Sequence, residues 1–280
     1  MDELRLLHGC TLAELHRSSA SNRLQDYEFR AFSQWGEDGI LQRLTSLIEI
    51  PHKTFIEFGV EDFSEANCRF LMMKDNWSGF VIDGSEGSMR RLRAAYDNWR
   101  YDLKAACAFI TRENINELLA LSDFDHDLGV LSVDIDGVDY HVLQAITGFR
   151  PRILIVEYNA VFGGERAITV PYRADFFRTA AHHSNLYFGA SLEAFKHLCG
   201  QMGYTFVGST SAGVNAFFVR SDIATQAITE LASTANYTES RVRESKSRDG
   251  RPTLLSGAER LAQIRGLPVI NVLTGEATAI

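Results

Sequence analysis

Two acidic segments carry the residues best suited to chemistry. Val130-Leu131-Ser132-Val133 runs into Asp134-Ile135-Asp136, and Ile153-Leu154-Ile155-Val156 runs into Glu157-Tyr158-Asn159. Residues two apart in an extended chain point to the same side, so Asp134 with Asp136, and Glu157 with Asn159, are expected to face one another across two strand ends. Four oxygen-bearing side chains suit a hard cation such as Mg²⁺, Mn²⁺ or Ca²⁺, with Asp134, Glu157 and Asn159 as the expected ligands. Such a cation would hold two substrate oxygens and lower the pKa of a hydroxyl. The alternatives are direct binding of substrate amines or hydroxyls, and capping of the next helix. Asp136 is one candidate base; His141, which follows the acidic loop and enters a helix, is the other. His182-His183 lies in a polar stretch and reads as surface, and the remaining histidines show no partner spacing.

A second constellation lies earlier. Thr54-Phe55-Ile56-Glu57-Phe58 leads directly into Gly59, and Asp83 ends the run Phe80-Val81-Ile82-Asp83, 24 positions after Gly59. A glycine at a strand-to-helix turn lets backbone approach a ligand across the sheet edge, and a carboxylate at the end of the next strand can accept both ribose hydroxyls. Alone, Gly59 reads equally as a tight turn and Asp83 as a helix cap. Together they point to a ribose-containing ligand.

These residues need a scaffold. Apolar runs at 54–58, 79–83, 103–109, 129–135 and 152–157 alternate with helix-like stretches at 65–74, 88–99, 114–122 and 140–147, the pattern of a parallel sheet covered on both faces. After a helix over 191–202, strands at 204–208 and 214–220 are separated by a short turn with Ser209, Ser211 and Gly213. That is too short for a parallel crossover, so an antiparallel hairpin is expected. The fold class is therefore α/β: a doubly wound, Rossmann-like sheet of class I methyltransferase type, with parallel strands and a terminal antiparallel hairpin. That hairpin, Glu57 ahead of Gly59 and the glycine-poor turn favour S-adenosylmethionine over NAD, with Glu57 among the expected cofactor-binding residues. Residues 33–222 form the expected catalytic domain, with 161–190 inserted over the substrate. Residues 1–32 are an amphipathic helical lead-in carrying Leu4, Leu7, Leu12 and Leu15, and 223–280 a polar tail with an apolar, oligomer-forming patch at 267–272. The stretch from Ser33 to Gly39 opens a helix, and its Gln34 and Glu37 could close over the methionine end of the cofactor.

Over about residues 33–220, the blocks SQWGEDGIL, FIEFGVEDF, GFVIDGS, LSVDIDGVDYHVLQAI and PRILIVEYNA resemble the FkbM-related class I methyltransferases of polysaccharide and natural-product gene sets. The resemblance implies S-adenosylmethionine bound by Gly59 and Asp83, assisted by Gln34 and Glu37. The chain departs at Glu61 and Phe63, where glycines are common in the broader methyltransferase pattern. The acid cluster is similar to that of metal-dependent O-methyltransferases of catechols and sugars, whose second strand usually ends in adjacent Asp-Asp or Asp-Asn; here Tyr158 intervenes.

Composition narrows the partners. The net charge of −8 repels phosphate backbones and anionic lipid, so neither nucleic acid nor a membrane surface is expected. No apolar run reaches the roughly 18 residues of a membrane span, and Asp2 and Glu3 replace a signal peptide's basic start; a cytoplasmic location is the expectation. Four scattered cysteines, without a CxxC pair, suit reduced thiols. The sequence thus reads as an S-adenosylmethionine-dependent, metal-assisted O-methyltransferase of a small hydroxylated metabolite or sugar, with a homo-oligomer among its possible states. Its rivals are an N-methyltransferase or non-methyl cyclase using the same cofactor, and a non-catalytic interaction module.

Overall fold

The computed structural model describes residues 2–95 and 99–280. Five strands, β1 (Thr54–Phe58), β2 (Ser78–Asp83), β3 (Leu103–Cys107), β4 (Val130–Val133) and β5 (Ile153–Glu157), run parallel. Two more, β7 (Tyr204–Ser209) and β8 (Asn215–Arg220), form the hairpin, with β8 antiparallel to both β5 and β7. The sheet order is β3-β2-β1-β4-β5-β8-β7. One reversed strand inserted between two co-directional neighbours is the class I methyltransferase arrangement, and it is what the short turn after residue 208 demanded.

Side-chain alternation divides the core. Ile56, Phe58, Leu131, Val133, Leu154 and Val156 face one layer; Phe55, Val130, Ile153, Ile155, Phe217 and Val219 face the other. The helices are α1 (Asp2–Arg17), α2 (Glu37–Leu47), α3 (Arg69–Asp75), α4 (Glu86–Ala94), α5 (Ile115–Ala120), α6 (Asp139–Ala145), α7 (Arg178–Ala181), α8 (Leu192–Gln201), α9 (Gln226–Thr234) and α10 (Ala258–Ile264). Helices α5, α6 and α8 contribute to the first layer, and α2, α3, α4 and α9 to the second.

Several elements are shorter than their apolar pattern. The helix expected over 65–74 begins at Arg69, because the Asn67 and Cys68 N–H groups donate to the Glu57 carboxylate, at 2.6 and 2.9 Å, instead of joining a helical ladder. The helix expected over 88–99 is α4, and residues 96–98 of that expectation lie outside the described residues.

The lead-in helix buries a different stripe from the one expected. Gly9 and Ala13 face the core, Leu6 and Leu12 pack partly, and Leu4, Leu7 and Leu15 are exposed. The insertion carries β6 (Ile168–Thr169), which pairs with β9 (Pro268–Asn271); β10 (Ala277–Ala279) completes a second, three-stranded sheet. The apolar patch at 267–272 is therefore covered by the chain itself, with Val269 fully buried. Among the described residues no helix is long and apolar enough to cross a membrane.

Candidate active site

The register Val133↔Val156 sets the next residues of β4 and β5, Asp134 and Glu157, side by side at the carboxyl edge. Beyond Asp134 the chain must turn sharply into α6. Asp139 makes that turn, its carboxylate accepting the Ile135 N–H at 2.7 Å and the Gly137 N–H at 2.9 Å, while Asp136 adopts φ +55°. The result brings one oxygen each of Asp134, Asp136 and Glu157 within 4.8 Å of one another.

Burial holds the carboxyls of Asp134 and Glu157 well above the usual range, reinforced at Asp134 by the charges of Asp136 and Asp139 and at Glu157 by those of Asp134 and Asp136. Glu157 also keeps one buried oxygen, Oε2, without a hydrogen-bond partner. A set of convergent carboxylates with an unsatisfied buried oxygen fits a hard divalent cation. One counter-charge is built in. Arg178 of α7 pairs with Asp136, stacks 3.8 Å over the Phe188 ring, donates to the Asn185 carbonyl at 2.8 Å and reaches Glu244 at 3.4 Å. The insertion and the C-terminal segment thus meet over the acids.

Asn159 is corrected from ligand to scaffold. Its Oδ1 accepts the Val161 N–H at 3.0 Å, and its Nδ2 donates to the Leu186 and Phe188 carbonyls, both at 2.9 Å. The amide is spent holding the insertion. His141 likewise stands apart from the acid cluster: its Nε2 bonds the Val170 carbonyl at 2.9 Å, so that nitrogen carries the proton. Burial lowers its pKa.

On the cofactor side, Asp83 spans two loops, accepting the Glu61 N–H at 2.8 Å and the Ser85 N–H at 2.7 Å. Each oxygen keeps a lone pair, and the half-buried carboxylate fits a ribose diol. Gly59, Glu61 and Phe63 have φ of +70°, +47° and +63°. The loop therefore keeps, at Glu61 and Phe63, the backbone that glycines would adopt. Gly59 is needed for a protein contact: a Cβ there would lie 1.6 Å from the Asp134 carbonyl oxygen. The cofactor loop and the acid loop touch at that point. Glu57 is corrected to a loop anchor, since both its oxygens hold backbone N–H groups, and burial pushes its carboxyl up to about 7. Glu37 is buried, accepting the Trp35 N–H at 2.8 Å and Asn215 Nδ2 at 2.8 Å; it shapes the loop on which Gln34 is exposed.

Sequence reasoning missed Arg178, Asp139 and Glu244. The carboxylate at the start of a helix was a signal for Asp139. Arg178 lies 42 positions from Asp136 with no motif joining them.

No protein-family model matches the sequence, and no curated protein is similar to it in sequence. Among solved structures, an S-adenosylmethionine-dependent methyltransferase from Clostridium acetobutylicum ATCC 824 is 8% identical, covering 75% of this chain and 97% of that one, with TM-score 0.43. The N-terminal domain of EvdMO1 with SAH bound is 7% identical over 64% of this chain and 77% of that one, with TM-score 0.39. PKMT2 from Rickettsia typhi in complex with AdoHcy is 8% identical over 66% and 53%, with TM-score 0.43. At such identities and TM-scores, the strand order itself is the ground for the fold.

Proposed function

We propose that this protein is an S-adenosylmethionine-dependent methyltransferase acting on an oxygen of a small hydroxylated metabolite or sugar, assisted by a divalent cation. The observation that carries this reading is the convergence of three carboxylates against the loop that Gly59 and Asp83 shape. S-adenosylmethionine would supply an electrophilic methyl, and a cation held by Asp134 and Glu157 would acidify the substrate hydroxyl. Asp83 accepts the ribose hydroxyls. Asp136 would take the proton that the substrate hydroxyl gives up on methylation. Arg178 would fix the orientation of the Asp136 carboxylate.

The Arg178–Asp136 ion pair favours a second reading, in which the guanidinium replaces the cation and the acids hold an amine for N-methylation. Insensitivity to chelators would select it.

Calorimetry of the full chain with S-adenosylmethionine tests the cofactor. Saturable binding is expected, weakened about tenfold by Asp83→Asn, the worth of one charge-assisted hydrogen bond. Absence of binding by the parent would remove the proposal, and undiminished binding by the variant would remove Asp83 from it.

A further inference from the structure

At the amino edge of the sheet, opposite the acids, a cavity of about 200 Å³ lies where α1, α2 and the segments leading into β1 and β2 meet. Nothing in the methyl-transfer reading uses it. Trp77 and Ile50 give it an apolar wall, and cationic side chains crowd the rest.

The charges there do not cancel. Lys74 pairs with Asp75 at 2.7 Å, and Asp75 also accepts Gln42 Nε2 at 2.6 Å. Arg17 is held by Glu14 at 3.3 Å. Arg43 and Lys53 have no carboxylate partner among the described residues. Arg43 lies 4.6 Å over the Tyr27 ring, and its Nε is buried without a hydrogen-bond partner. The buried Nδ1 of His16, which also lines the cavity, is in the same position. An oxyanion in this cavity would draw on the terminal guanidinium nitrogens of Arg43 and the Lys53 ammonium, the two lining cations without a carboxylate. Two unpaired cations call for a dianion, and the apolar wall of Trp77 and Ile50 accommodates a small organic body.

We propose that this cavity is a second binding site, for the phosphate group of a small phosphate monoester, held by Arg43 and Lys53. Calorimetry of the full chain with inorganic phosphate, at fixed ionic strength, tests it, with malonate as a dicarboxylate comparison. Saturable phosphate binding stronger than that of malonate is expected. Lys53→Ala and Arg43→Gln should each weaken it about tenfold, the loss of one charge-assisted contact. Lys196→Ala, on α8 and paired with Glu193, should leave it unchanged. Lys53 is exposed, so its variant decides the matter even if Arg43→Gln, which also loses the Tyr27 stack, is less stable. No saturable binding, unchanged affinity in Lys53→Ala, or equal affinity for malonate would overturn the proposal.

Discussion

Gly59→Ala is expected to destabilise the fold by about 3 kcal/mol or more, combining an overpacked contact with a left-handed backbone unfavourable to alanine. The magnitudes identify which effect dominates. Glu61 and Phe63, two and four residues on, hold positive φ with side chains attached, so backbone strain alone, about 1–2 kcal/mol per residue, is tolerated in this loop. What is special to Gly59 is the Asp134 carbonyl oxygen, 1.6 Å from where a Cβ would stand. That atom is main chain and cannot rotate away. Relief requires moving either the cofactor loop or the acid loop, so cofactor affinity should fall with stability. Urea unfolding of Gly59→Ala beside Glu61→Gly separates the two causes: the first should lose stability heavily, and the second should keep it or gain up to about 1 kcal/mol. Equal, small effects from both would show that the contact is not tight.

Asp134→Asn should do opposite things to stability and activity. In the folded chain, burial and the neighbouring acids raise the carboxyls of Asp134 and Glu157. Burial also raises Asp38 and Asp139 to about 6 and Glu57 to about 7. A carboxyl raised above its unfolded value favours folding fully below that unfolded value, near 4, and loses this contribution as pH rises through its folded value. These groups therefore make stability decline between about pH 4 and 7. Removing the Asp134 charge should flatten that decline and stabilise the protein at pH 8 by roughly 1–2 kcal/mol, as relieving a strained functional site commonly does. Methyl transfer should fall by about a hundredfold or more, the usual scale for losing a group that handles the reacting proton or its cation. Denaturation at pH 5 and 8, with turnover measured on the same samples, reads both. A variant that loses stability and keeps activity would assign Asp134 to the scaffold.

The fold was legible because its signals are local. Alternation placed the strands within a few residues, and the short turn between 209 and 214 required the hairpin. The acid cluster was half legible: period-two spacing predicted Asp134, Asp136 and Glu157, and all three converge. The same spacing misplaced Asn159, because the chain leaves extended geometry after Glu157 and turns at Ala160–Phe162. Alternation cannot register that departure. Glu57 was misread for another reason, since its partners, the Asn67 and Cys68 N–H groups, are backbone and leave no mark in residue types. Arg178 and Glu244 were invisible because tertiary contacts far apart in sequence, the pairing of β6 with β9 and the Asn185–Glu244 and Lys246–Ser184 hydrogen bonds among them, bring the insertion and the C-terminal segment together.

The proposed function requires carboxylates from two adjacent strands to share one pocket with a methyl donor and a cation. Crystals soaked with S-adenosylhomocysteine and Mn²⁺ test it directly. An anomalous peak within coordination distance of Asp134 and Glu157 is expected, with the ribose of the bound nucleoside on Asp83. A nucleoside bound elsewhere, or a carboxylate pair left without the ion while Arg178 keeps Asp136, would contradict it.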